Sequence, residues 1–172
     1  MNGRKSTRKM LRCARLDDSD EEVFEKAADA GEWAIPGSFT FLDDDETSLT
    51  GKRLQAFNAG FLGLDSFGWC TIVSVATASE EQIQEAVNQL SQHLLDHYGA
   101  PDRAAARQAA RSELAYAESL CEHEIGTLVA LERELTDDGI EERFKRFVPT
   151  QDADWEDAKP ISLSDLVKQS DL

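Results

Sequence analysis

The stretch from Ser79 to Glu122 constrains this chain more than any other, because it specifies two helices joined by too short a link to be anything but neighbours. Ser79-Glu80-Glu81-Gln82 is a capping box, with Ser79 as N-cap and Gln82 three residues on. The helix it opens should run to about residue 98, with Ile83, Val87, Leu90 and Leu94 on one face. Gly99 and Pro101 end it, and Pro101 can open a second helix over about 102–122. That helix is rich in alanine and so of high intrinsic propensity. Ala106, Ala109, Ala110, Tyr116, Ala117, Leu120 and Cys121 share one face, and small side chains allow a close approach to a neighbour.

Strands must supply the other layer. Leu11–Leu16 alternates apolar and basic residues and opens a first strand. Asp17–Glu22 is six polar residues, five of them acidic, and reads as a solvated loop. Val23–Ala28 offers a short strand, although Glu21–Ala30 can equally be a helical turn. Trp33–Ile35 and Ser38–Phe41 are strand-like around Pro36-Gly37, and the proline points to an edge strand or a bulge. A short helix over Gly51–Ala59 has Thr50 as its cap, Leu49 and Leu54 as a hydrophobic staple and Gly60 at its end, with Leu54, Phe57 and Phe61 facing inward. Trp69–Ala78 is uncharged and β-branched, which predicts one central strand buried on both faces. Thr127–Leu135 and Ile140–Val148 flank Thr136-Asp137-Asp138-Gly139, whose Asp-Gly favours a β-hairpin; Ile140, Phe144, Phe147 and Val148 also fit a helical face. The expected fold is therefore α+β: a small, mainly antiparallel sheet covered on one face by two antiparallel helices, plus one short helix.

Charge divides the 172 residues unevenly. The chain holds 34 acidic and 18 basic side chains, a net −16. Residues 1–16 carry six bases and no acid, which leaves 12 bases against 34 acids in the rest, a charge of −22. A body so negative repels phosphate backbones, which excludes nucleic acid as its partner and confines any such role to the arm. The expected organisation is a disordered basic arm over 1–9, one domain over 10–149, and an acidic tail over 150–172, disordered or docked, with Met10 as an alternative start. No apolar run is long enough to cross a membrane and no apolar leader is present, so no membrane partner is expected. Three cysteines without a C-x-x-C motif fit a reducing, cytoplasmic setting.

Few residues carry the pattern of a reaction. His93 and His97, four apart on a helix, could lean together with His123 and Cys121 around zinc, but surface or boundary histidines explain the spacing as well and no metal is assigned. Glu113 falls near the centre of the alanine face, where a carboxylate must be paired with a base such as Arg133, protonated or costly. Cys13, Cys70 and Cys121 read as small buried hydrophobes. Gly51-Lys52 lacks the glycine and the Ser/Thr of a phosphate loop, and Gly63–Gly68 is one residue too long for a nucleophile elbow. No cofactor is expected.

Interaction surfaces have more support. Trp33 and Phe39 stand around glycines and a proline, where aromatics serve as partner anchors or as lids on a core. The tail spaces Trp155, Ile161, Leu163, Leu166 and Val167 in an acidic background, a pattern that can fold onto a partner or onto its own domain.

Arg15-Leu16-Asp17, Gly31-Glu32-Trp33-Ala34, Leu49-Thr50-Gly51-Lys52, Gly60-Phe61-Leu62-Gly63 and Ser66-Phe67-Gly68 resemble an uncharacterised family of small proteobacterial proteins, over about Arg15 to Val148. The resemblance implies a bacterial, cytoplasmic single domain and brings no activity or catalytic residues. The leading expectation is a non-catalytic accessory protein acting through a protein partner, a homodimer included. The alternative is a small enzyme or ligand-binding domain with a pocket between sheet and helix pair, using Glu113, His97 or His123.

Overall fold

The computed structural model describes residues 7–15 and 19–147. The elements are β1 (Arg8–Ala14), α1 (Ser19–Val23), β2 (Trp33–Ile35), a 3₁₀ turn (Ser38–Phe41), α2 (Gly51–Ala59), β3 (Phe61–Gly63), β4 (Trp69–Cys70), β5 (Ile72–Ala78), α3 (Glu80–His97), α4 (Arg103–Ser119), β6 (Leu128–Thr136) and β7 (Gly139–Phe147). The seven strands form one sheet in the order β4-β3-β2-β1-β5-β6-β7, and each neighbouring pair is antiparallel. The α+β class and the helix pair are as the sequence predicts. Ser79 caps α3 with both bonds of its capping box present, and Asp102 caps α4 by accepting from the Ala105 N–H. On α4 the buried positions are Ala106, Ala110, Leu114 and Ala117, whereas Ala109 and Tyr116 face outward. The late hairpin forms, with Asp137 and Asp138 as its turn and the Thr136 hydroxyl accepting the Asp138 N–H.

Several expectations are corrected. The strand expected over Trp69–Ala78 is two strands: Thr71 leaves the ladder because its hydroxyl and N–H donate to Asp20. Edge strand β4 therefore separates from central β5, and β5 alternates buried with half-buried residues, so only one of its faces is fully covered. The acidic run is not all solvated loop: its end folds as α1, where acids suit a helix N-terminus, and Asp20 is buried. In Val23–Ala28 only an isolated bridge from Ala27 to Trp69 is strand-like. Beyond Gly37, Ser38–Phe41 coils instead of extending. Gly37 turns there with φ +75°, and any Cβ would stand 2.7 Å from that of Leu62. Pro36 lies past the end of β2, which is why β2 can sit inside the sheet, between β1 and β3, and not at an edge. Arg8 and Lys9, assigned from charge to an arm, are rungs of β1 paired with Ala78 and Thr77. The tail, with Trp155, Leu163 and Leu166, lies outside the described residues.

Register and burial define the inner face of the sheet. Leu11, Cys13, Ala34, Val73, Val75, Val129, Leu131 and Arg133 are buried, while Arg12 and Glu132 of the opposite face are exposed. This face is strongly curled. Neighbouring strands stand about 4.8 Å apart, so β3 and β7, five places apart in the order, would be about 24 Å apart in a flat sheet. The Phe61 and Phe144 rings, on those two strands, are 6.4 Å apart. Arg133 of β6 likewise reaches the Pro36 carbonyl just beyond β2. Such curling is the ordinary right-handed strand twist carried towards a barrel. Helix α4 packs against β1 and β2 and alongside α3, and α2 packs against β6.

Arg133 fixes the curled geometry. Its guanidinium is buried and donates to Glu142, to the Ala56 and Phe57 carbonyls at the end of α2, and to Pro36. Removing one partner of such a buried pair typically costs about 3–5 kcal/mol. Among the described residues, no helix is long and apolar enough to cross a membrane.

Candidate functional site

A buried carboxylate organises the loop that follows β3. Glu32, just before β2, is 8% exposed, and its oxygens accept the N–H groups of Asp29 (2.6 Å), Asp65 (2.9 Å) and Ser66 (2.7 Å) and the Ser66 hydroxyl (2.7 Å). Burial works to raise its pKa, but the four hydrogen bonds outweigh it and hold the carboxyl below its usual range. Gly63 makes room for this carboxylate, since a Cβ there would stand 2.6 Å from Glu32 Oε1. The Ser66 hydroxyl also accepts the Gly68 N–H, which closes the loop around Phe67.

Phe67 is the one non-glycine residue with positive φ among those described, at +56°. A bulky residue in this region is strained and persists only where its surroundings hold it. The gain is a position: the Phe67 ring lies flat on the His93 imidazole, 3.7 Å away and inclined by 3°. His93 also meets His97 at 4.9 Å and Tyr98 at 5.4 Å, and Tyr98 stands edge-on to Phe39 at 5.1 Å. Burial and then the neighbouring His97 lower the His93 pKa to about 4, so the ring is neutral at ordinary pH. Tyr98 is 42% exposed. Three segments thus converge on an aromatic platform at the end of α3: the 3₁₀ turn, the loop after β3 and the last turns of α3 with its cap Tyr98. Its rings offer apolar and aromatic contact, with His97 and Asp96 acting on His93 in opposite electrostatic senses.

Residues 8–159 match the family described as "Family of unknown function (DUF6505)". The chain belongs to this family. The match begins where β1 begins and runs past β7 to include Trp155, wider than the Arg15–Val148 span of the motifs. No curated protein and no solved structure matches the chain.

In this DUF6505 member the residues singled out from sequence fall in separate places. His93 and His97 do meet, but among the described residues no group of three or more His, Cys, Asp or Glu side chains could hold a metal ion. His123 lies instead against Arg146, whose guanidinium is 3.1 Å from its Nδ1, and Cys121 Sγ points to the Ala117 carbonyl. Glu113 is half-buried near Glu142 and Arg133; burial and then Glu142 raise its pKa, with Arg133 opposing. Arg133 gives its hydrogen bonds to Glu142 and to backbone, so the predicted Glu113–Arg133 association is electrostatic only among the described contacts. Trp33 is half-buried under the Arg12 guanidinium, 4.7 Å from its ring centre, while Phe39 is part of the platform.

An open cavity of about 410 Å³ lies between the 29–33 turn and α3, lined by acids such as Asp29, Asp65 and Glu85. None of Glu113, His97 and His123 lines it. Sequence reasoning missed Glu32 and Phe67. The close glycines Gly60, Gly63 and Gly68 signalled a tight backbone there, but nothing local marks an acid that is satisfied by residues 33 and 34 positions away.

Proposed function

We propose that this DUF6505 protein is a non-catalytic interaction protein of a bacterial cytoplasm, and that the platform of Phe39, Phe67, His93 and Tyr98 receives an apolar or aromatic side chain of a protein partner. The observation that carries this reading is the strained Phe67, held in the left-handed region and stacked on a neutral imidazole beside a half-exposed tyrosine. A ring that only filled the core would not need that backbone, whereas strain recurs where a surface is preorganised for a ligand. Rigid aromatics at a rim are also the residues on which interface energy concentrates. The strongly acidic surface favours partners with basic surroundings to their anchor.

The ligand-binding alternative draws on the acidic cavity beside Trp33, not on Glu113, His97 and His123, which lie apart. Parallel affinity capture from a bacterial lysate with the wild type and with Tyr98→Ala tests the reading. A partner held by the wild type and lost from the variant, at unchanged circular dichroism, supports it. Equal capture by both proteins overturns the assignment of the platform.

A further inference from the structure

We propose that Cys13 and Cys70 are a dithiol site that peroxide closes to an intrachain disulfide, tying edge strand β4 to central strand β1. The two thiols are 57 residues apart in sequence, and their strands are three places apart in the sheet. In a flat sheet they could not meet. The curl brings Cys13 Sγ and Cys70 Sγ to 2.9 Å, closer than two unbonded sulfurs comfortably approach. Both side chains belong to the inner face, Cys13 opposite Val73 and Cys70 opposite Phe61, and both are buried. A small change of side-chain torsion brings such a pair to a bond of about 2.05 Å. Cys121 is elsewhere, against the Ala117 carbonyl, and is not part of the pair.

The route of the oxidant follows from the lengths of the strands. β4 has two residues, held by β3 on one side and by a single bridge to Ala27 on the other, whereas β1 has seven and lies between β2 and the full length of β5. Opening of β4 therefore exposes Cys70 first, at lower cost than any opening that exposes Cys13. The Cys70 thiolate attacks one peroxide oxygen, the O–O bond breaks, and hydroxide leaves with Cys70 as its sulfenic acid. When β4 returns, Cys13 sulfur attacks Cys70 sulfur and the S–O bond breaks. The departing hydroxide and the one released first take up the two thiol protons. Two thiols have then lost two electrons, and one hydrogen peroxide has become two waters. Burial slows the first step, because in the closed state it keeps peroxide from the Cys70 sulfur and holds the thiol protonated. The site stands independently of the proposed function, although Phe67 is three residues before Cys70 and the bond would hold its loop as well.

The test uses the full chain, reduced, freed of reductant, treated with hydrogen peroxide, unfolded in guanidinium and alkylated. Peptide mass spectrometry should find a Cys13–Cys70 cross-link, two hydrogens lighter than the separate peptides, and an alkylated Cys121. A Cys13→Ser variant should carry Cys70 on to the sulfinic acid, since no second thiol traps the intermediate. Full alkylation of all three cysteines, a link that includes Cys121, or a wild-type sulfinic acid at Cys70 beside an alkylated Cys13 would each overturn the proposal. The wild-type result decides the matter whether or not the variant folds.

Discussion

The Glu32 carboxylate accepts the Ser66 backbone N–H at 2.7 Å, joining the approach to β2 to a loop 34 residues further along the chain. With the Asp29 and Asp65 N–H groups and the Ser66 hydroxyl, it is the main tie holding the strained Phe67 against His93. Glu32→Gln replaces a charged acceptor by an amide whose NH₂ faces donors, so it should cost about 1–3 kcal/mol in urea unfolding. The loss should be smaller in acid. The folded carboxyl titrates below its unfolded value, so its contribution is present above the unfolded pKa and disappears as pH falls through the folded one.

His93 makes a separate contribution of the same sign, although here folding favours the neutral form instead of the charged one. Its folded pKa is about 4 against about 6.5 when unfolded, so the unfolded chain binds the extra proton. Stability should therefore fall as pH drops from about 6.5 to 4 and lose nothing more from this ring below that. Solvent screening at a half-buried ring limits the effect to about 1 kcal/mol. In His93→Gln the decline between those pH values should be reduced by that amount, and the NMR titration of the wild-type ring should show the low midpoint directly.

Glu113 should behave as a mild liability. Burial and the nearby Glu142 raise its pKa, so its charge opposes folding at neutral pH. Glu113→Gln should leave stability at pH 7 unchanged or raise it, and should weaken the decline seen as pH rises through the carboxyl range. A strongly destabilised variant would show that the carboxylate holds a partner in the folded state.

Beginning the chain at Met10 should weaken the fold. It removes two rungs of β1 and the Arg8 guanidinium, which donates to Glu118 at 2.6 Å and to Glu80 at 3.1 Å. These pairs are partly exposed and together contribute about 1 kcal/mol, with the lost pairing in addition. A lower denaturant midpoint for the chain that starts at Met10 is the expected result.

What could be read from the sequence is what neighbours in sequence decide. The capping box of α3 and the turn of the late hairpin depend on residues within four positions and were legible, whereas α4 opens after its cap Asp102 and not at Pro101 as expected. Thr71, Asp20 and Glu32 were not. Each behaves as it does because of a partner 33 to 51 residues away: Asp20 draws Thr71 out of a strand that composition alone would run straight through. The same holds for Cys13 and Cys70, whose meeting requires the curl. Charge misled at the N-terminal side, because the bases of β1 are satisfied by α4 and by backbone, not left in water as an arm.

The position of β1 also sets an order of events. Arg8 pairs with Ala78 and Ala14 with Ile72, while its other neighbour, β2, is a strand of three residues. The α3–α4 hairpin and the β6–β7 hairpin close short loops and can form in microseconds. β1 must instead close a long loop and wait for β5 before its ladder is complete, and nonlocal pairings of this kind slow folding. The middle of the sheet is therefore expected to assemble late, and until it does the seven residues from Arg8 to Ala14 would have exposed backbone edges that a second chain could capture.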